Sequence, residues 1–128
     1  MDGKVKNIVL ATRPWSFPAS TMPALLTISY VFFIKNGIGI EINWWFGVLA
    51  FFGAAIFQAS GNLIGDYYDF KYHVDRKESF GSSRMLVDGV FQPKVILRFG
   101  LVLLFIGILL GLFLCYQTGI DLLWIGLI

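Results

Sequence analysis

The chain has 128 residues, of which 57% are hydrophobic and 14% are charged, against roughly a quarter charged in an average globular protein. This composition excludes a disordered tail, and the single cysteine, Cys115, excludes a disulfide scaffold. The formal net charge of +2 is too small to indicate a module that binds nucleic acid.

Three long stretches of the chain contain no charged residue. They cover residues 14–34, 42–65 and 99–120, with lengths of 21, 24 and 22 residues. A helix needs about 20 mostly apolar residues to cross a hydrocarbon core of about 30 Å. We therefore predict an all-α integral membrane protein with three complete transmembrane helices. The predicted spans are residues 17–34, 43–65 and 95–116, joined after the second span by a polar loop over 66–94.

The two ends of the chain differ in character. Residues 1–13 form a short basic lead-in, whereas residues 122–128 are seven apolar residues that follow Asp121. At about 1.5 Å per residue, this last segment is too short to cross a bilayer. We interpret it as the start of a fourth span, and we expect the chain to be the N-terminal part of a longer protein.

The basic residues predict how the spans are oriented. The first loop carries one basic residue, Lys35, whereas residues 66–98 carry six and the lead-in carries three. Cytoplasmic loops of membrane proteins have an excess of Lys and Arg. We therefore predict a multi-pass protein of the cell (inner) membrane, with the N-terminus and the 66–94 loop in the cytoplasm.

An acidic cluster lies at the end of the second predicted span. Asn62, Asp66 and Asp69 have the spacing i, i+4, i+7, which places them on one face of a helix, and Asp75 follows in the loop. Carboxylates at a membrane span cost free energy and repel one another, and a bound divalent cation reverses both effects. Oxygen ligands without a His or Cys pattern suit Mg²⁺.

Basic residues, including Lys71 and Arg84, follow these acids directly. Carboxylates, a metal ion and cations together are what a diphosphate leaving group requires. Alternatively, the acids mark only the membrane boundary and the mixed charges form a solvated loop. A non-enzymatic membrane protein or transporter fragment with a cytoplasmic cation site is a further alternative, although transporters usually place ionisable groups near the midplane.

Three stretches resemble the UbiA-type membrane prenyltransferases, and most closely those that prenylate dihydroxynaphthoate for menaquinone. The stretches are Arg13–Ser20, Gly61–Asp69 and Arg84–Gly89. The resemblance implies that residues 1–128 form the N-terminal part of one helical membrane domain of about nine spans. It also implies Mg²⁺-dependent transfer of a polyprenyl group from its diphosphate to an aromatic acceptor, namely 1,4-dihydroxy-2-naphthoate.

The resemblance assigns candidate roles to individual residues. The catalytic candidates are Asp66 and Asp69, and the metal ligands are Asp66, Asp69 and Asp75. The candidates for binding the diphosphate are Asn62, Arg84, Lys71 and Arg13. One departure is Gly65, because many relatives have Asn immediately before the first aspartate.

The implied partners are a polyprenyl diphosphate, an aromatic acceptor and the lipid bilayer, without nucleic acid. The family builds its cavity from two facing aspartate motifs, and only the first lies in these 128 residues. We therefore expect this chain to be inactive by itself.

Overall fold

The computed structural model describes residues 3–39, 41–74 and 83–119, and every regular element in these ranges is helical. The helices are α1 (Gly3–Ala11), a short 3₁₀ helix (Pro14–Ser16), α2 (Phe17–Ile38), α3 (Trp44–Lys71) and α4 (Pro93–Thr118). Three helical stretches are long and apolar enough to cross a membrane: Val5–Lys35, Trp44–Lys71 and Pro93–Thr118. The predicted all-α membrane architecture with three spans is confirmed, whereas the predicted start of a fourth span lies outside the described residues.

The starts and ends of α2 and α3 follow from local sequence. Pro18 lies in the first turn of α2, where a missing backbone N–H breaks no helical hydrogen bond. Gly39 follows α2 with a φ of 63°, a left-handed conformation that glycine adopts without strain. The side chain of Asn43 caps α3 by accepting a hydrogen bond of 3.1 Å from the backbone N–H of Trp45.

Helix α3 is longer than the sequence predicts. It continues through Lys71, whereas the charge pattern placed its end at residue 65, so residues 66–71 are helical and do not belong to a loop over 66–94. Its 28 residues extend about 42 Å at about 1.5 Å per residue, which exceeds a hydrocarbon core of about 30 Å. The helix ends at Lys71, and His73, two residues further on, has a left-handed φ of 56°. The charged last turns of α3 therefore lie at the end of the span.

Helices α3 and α4 pack against each other through small residues. A Cβ atom at Gly100 would lie 2.9 Å from Cγ1 of Ile64 and 3.2 Å from Cβ of Leu63. At this point of the contact there is therefore room for the hydrogen atom of glycine and not for a larger side chain. The hydroxyl of Ser60 also donates a hydrogen bond of 2.9 Å to the Gly100 carbonyl. This close antiparallel contact fixes the side of α3 that meets α4.

A small apolar core lies beside the end of α3 that carries the acidic residues. It contains Ala11, Leu63, Leu86 and Ile96, all of which are buried. These residues come from α1, α3, the turn before α4, and α4 itself. The core therefore joins four segments around the end of α3 and holds the turn after α1 against it.

Candidate functional site

Asp66 is the one charged residue that is buried among those the structure describes, with 3% of its surface exposed. One of its carboxylate oxygens accepts a hydrogen bond from the guanidinium of Arg13, and the other accepts one from the hydroxyl of Ser83. A buried carboxylate is tolerated when it is paired and hydrogen-bonded. Asp66 therefore links α3 to the turn after α1 and to the segment that precedes α4.

The backbone at Arg13 directs its side chain towards α3. Arg13 has φ 53° and ψ 62°, a left-handed conformation that separates α1 from the 3₁₀ helix. The hydroxyl of Ser16 donates a 2.9 Å hydrogen bond to the Arg13 carbonyl, and the Arg13 N–H donates to the Leu10 carbonyl at 3.1 Å. Non-glycine residues adopt this conformation rarely, and where they do it is a feature held in place by surrounding contacts.

Asn62 holds the same turn from the side of α3. Its amide nitrogen donates hydrogen bonds of 2.8 Å to the Thr12 carbonyl and to the Ser16 hydroxyl. Gln58 donates weaker bonds of 3.4 Å to the Asn62 side-chain oxygen and to the Ser16 hydroxyl. Asn62 therefore contacts the residues on both sides of Arg13, and in this arrangement it positions the arginine.

The sequence pattern did not predict Gln58, Ser16 or Ser83 as part of the site. Gln58 was detectable, because Gln58, Asn62 and Asp66 have the spacing i, i+4, i+8 and form a polar stripe along an apolar span. Ser83 gave no comparable signal, because it lies 17 residues from Asp66 and in no periodic pattern.

Asp69 lies on the next turn of α3, on the same face as Asp66, and its side chain is half-buried. Asp75, the third predicted metal ligand, lies outside the described residues. Within residues 3–39, 41–74 and 83–119, no group of three or more His, Cys, Asp or Glu side chains could hold a metal ion.

The donor set of Asp66 and Asp69 nevertheless fits Mg²⁺. This ion usually takes one or two carboxylates and completes its coordination with water and substrate phosphates. A carboxylate has about four acceptor positions, so Asp66 can bind Arg13, Ser83 and a further cation together.

The other two predicted diphosphate ligands are placed differently. Arg84 lies 3.4 Å from the carboxylate of Asp88, one turn further along the chain, and both side chains are about half exposed. The ammonium of Lys71 lies 5.9 Å and 5.6 Å from the ring centroids of Tyr68 and Tyr72. At 3.6 residues per turn, Lys71 is about 140° around α3 from Asp66, and so on the opposite side of the helix. The structure brings Arg13 to the acidic face and keeps Lys71 away from it.

The long apolar helices and the acidic residues at the end of α3 define a membrane protein with a polar site at one end of its spans. The chain belongs to the UbiA prenyltransferase family, whose model matches residues 24–128. This match confirms the resemblance found in the sequence. The matched range includes Asn62, Asp66 and Asp69, whereas Arg13 precedes it.

Similarity to individual proteins also supports membership of this family. UbiA prenyltransferase domain-containing protein 1 of Homo sapiens is 35% identical over 128 residues, covering 98% of this chain and 35% of that protein. The 1,4-dihydroxy-2-naphthoate octaprenyltransferase of Bacillus subtilis (strain 168) is 35% identical over 118 residues, covering 91% of this chain and 36% of that enzyme. The chain therefore spans about a third of the length of these relatives. No solved structure matches the chain.

Proposed function

We propose that the protein carrying this chain transfers a polyprenyl group from its diphosphate to an aromatic acceptor, in an Mg²⁺-dependent reaction. The observation that carries this proposal is the buried carboxylate of Asp66, paired with Arg13 one turn from Asp69, in a member of a prenyltransferase family. A carboxylate pair beside a cation at the end of a membrane span suits a substrate with a charged diphosphate and an apolar chain.

The acceptor that we propose is 1,4-dihydroxy-2-naphthoate, which places the reaction in menaquinone biosynthesis. The name of the Bacillus subtilis relative supports this acceptor. The name of the human relative specifies no acceptor, so the relatives in general support prenyl transfer more strongly than they support the naphthoate.

Asp66, Asp69 and Asp75 are the proposed ligands of Mg²⁺, which when bound neutralises the charge that develops on the leaving diphosphate. Arg13 has five N–H donors in a fixed fork, so it can bind the Asp66 carboxylate and still donate to a phosphate oxygen. Arg84, half exposed beside Asp88, is a second cation that we assign to the diphosphate. Asn62 has a positioning role, because it holds the turn that carries Arg13.

We further propose that the N-terminus and the segment between α3 and α4 lie in the cytoplasm, at the cell (inner) membrane. The distribution of basic residues supports this orientation. A reporter fused after Asn36 is then external, and one fused after Ser82 is cytoplasmic. Finding the second reporter outside would contradict the proposed orientation.

The activity is tested in membranes that contain the complete protein, supplied with Mg²⁺, a polyprenyl diphosphate and labelled dihydroxynaphthoate. We expect prenylated naphthoate to form, chelation of Mg²⁺ to abolish it, and Asp69→Asn to reduce turnover by about 100-fold or more. Glu41→Gln is the matched control, because Glu41 is an exposed acid in the connection between α2 and α3.

Near-normal turnover of the Asp69→Asn variant would contradict the proposed site. The same membranes are also supplied with 4-hydroxybenzoate in place of the naphthoate. Prenylation of the benzoate alone would overturn the proposed acceptor and leave the proposed reaction class standing.

A further inference from the structure

One cavity of the structure is not used by the proposed reaction. It has a volume of about 470 Å³ and lies between the end of α3 and the start of α4. Its lining residues are Tyr67, Phe70, Lys71, Gln92, Pro93 and Lys94. This volume is within the range of small-molecule sites, about 300–1,000 Å³. We call this cavity the Lys71–Lys94 pocket.

The two lysines of the pocket come from different helices at the same membrane level. Lys71 is the last residue of α3 and Lys94 is the second residue of α4, and the two helices are antiparallel neighbours. Among the described residues, neither lysine forms an ion pair with a carboxylate. Two cations therefore lie beside one cavity, and no carboxylate of the described residues neutralises their charge.

The Lys71 side of the pocket is turned away from the acidic face of α3. Lys71 lies about 140° around the helix from Asp66 and about 160° from Asp69. Asp66 is buried against the turn after α1, so the opposite side of α3 is directed outwards from that contact. Of the lining residues on α3, Phe70 is nearest to Asp66 around the helix, at about 40°, and Lys71 is farthest, so Lys71 presents its charge away from Asp66.

The surroundings of Lys71 are those of a membrane interface. The rings of Tyr68 and Tyr72 are stacked with centroids 6.2 Å apart, their residues are 44% and 66% exposed, and the ammonium lies over both rings. Val95, next to Lys94, is also exposed. Tyrosines and long basic side chains are enriched at the headgroup level, where apolar groups contact acyl chains and cations contact phosphates.

We propose that the Lys71–Lys94 pocket binds the phosphate headgroup of an anionic phospholipid. Basic pockets between transmembrane helices on the cytoplasmic side bind such headgroups. Lysine binds phosphate as a point charge and needs no planar geometry, which suits a headgroup of variable orientation. The exposed tyrosines and Val95 give the apolar part of the lipid a surface that a free phosphate ion would not use. This assignment differs from the role in diphosphate binding that the sequence suggested for Lys71, which stays a prediction.

The test measures how much lipid the complete protein retains. The protein is reconstituted in phosphatidylcholine nanodiscs that contain a minor fraction of phosphatidylglycerol, and retained lipids are counted by native mass spectrometry after extraction into detergent. We expect retention of phosphatidylglycerol over phosphatidylcholine. Each lysine near a membrane surface contributes about a fivefold gain in affinity, so Lys71→Gln combined with Lys94→Gln lowers retention about 25-fold.

A matched control removes two lysines elsewhere. Lys35 also lies over two aromatic rings, at 4.5 Å from the Phe32 centroid and 5.4 Å from that of Trp44, and Lys6 is an exposed lysine of α1. Lys6→Gln combined with Lys35→Gln is expected to keep normal retention of phosphatidylglycerol.

Three results would overturn the proposal: unchanged retention in the double variant of the pocket, an equal loss in the control, or displacement of the lipid by inorganic phosphate. The last result would identify a site for soluble phosphate. The lipid measurement requires neither prenyl diphosphate nor acceptor. A failure of the lipid proposal can therefore be distinguished from a failure of the proposed enzyme activity.

Discussion

The two sides of α3 are attached to their neighbours by different interactions. The side that meets α4 relies mainly on close approach, with Gly100 against Leu63 and Ile64 and one hydrogen bond from Ser60. The side that meets the turn after α1 relies on the polar contacts of Asn62 and Asp66. In a membrane the hydrophobic effect does not drive helices together, so shape and hydrogen bonds do. Added side-chain volume is therefore expected to weaken the contact with α4, and loss of a polar group is expected to weaken the contact with the turn after α1.

This difference indicates where function can reside. A contact made by shape holds the helices at a fixed distance but offers no chemistry. The contact made by Asn62 and Asp66 fixes a cation beside a carboxylate, which is an arrangement that a charged substrate and a metal ion can use. The α4 side of α3 is therefore the scaffold, and the α1 side carries the candidate site.

The largest effect on stability is expected from Asp66→Ala. This change removes the carboxylate that Arg13 and Ser83 bind, and breaking a buried ion pair costs about 3 kcal/mol. Reversible unfolding in detergent measures the loss, with Asp88→Ala as a control because its ion pair is about half exposed. Equal stability of the two variants would show that the α1 side contributes no directional contact.

Gly100→Ala is expected to cost about 2 kcal/mol, because its Cβ meets Ile64 and Leu63 at distances that force the helices apart. Gly111→Ala in the same helix is the control, because nothing lies within 4 Å of the Cβ that it adds. The same unfolding assay compares them. A Gly100→Ala variant as stable as the control would mean that close approach does not hold α3 to α4.

Asn62→Ala is expected to cost about 1–2 kcal/mol, since it leaves the Thr12 carbonyl and the Ser16 hydroxyl without their 2.8 Å donor. If Asn62 positions Arg13, the variant also raises the KM for the prenyl diphosphate more than it lowers kcat. A purely structural residue would destabilise the protein and leave KM unchanged.

The smallest effect is expected from Gln58→Leu, at about 0.5 kcal/mol or less. Both hydrogen bonds of Gln58 are 3.4 Å long, beyond the usual range for an N–H donor. Turnover and unfolding are compared with those of the Asn62→Ala variant. A larger loss than in that variant would reverse the order of importance along the polar stripe.

The sequence predicted the elements of the fold because membrane spans have a simple physical requirement. A helix that crosses lipid needs a long run without charge, and three such runs predicted three spans. The end of α3 was less predictable, because charge marks the edge of the hydrocarbon core while the helix itself continues to Lys71. Hydropathy locates the bilayer and does not locate the end of the helix.

The candidate site was predictable in part. Helical spacing placed Asn62, Asp66 and Asp69 on one face, but it did not show which cation meets them. Arg13 is 53 residues from Asp66 and reaches it because of a left-handed turn, whereas Lys71 is five residues away and lies on the opposite side of the helix. Which distant residues come together depends on turn geometry, and the sequence pattern carries little of that information.

The central claim is that Arg13 and Asp66 act as one unit in binding a diphosphate with Mg²⁺. A double-mutant cycle with Arg13→Gln and Asp66→Asn tests it, with Mg²⁺-dependent binding of farnesyl diphosphate to the complete protein in nanodiscs as the measurement. Each single variant is expected to weaken binding about tenfold or more, and the double variant to be little weaker than either, because the two residues share one interaction. Wild-type affinity in either single variant, or losses that multiply in the double variant, would contradict this account.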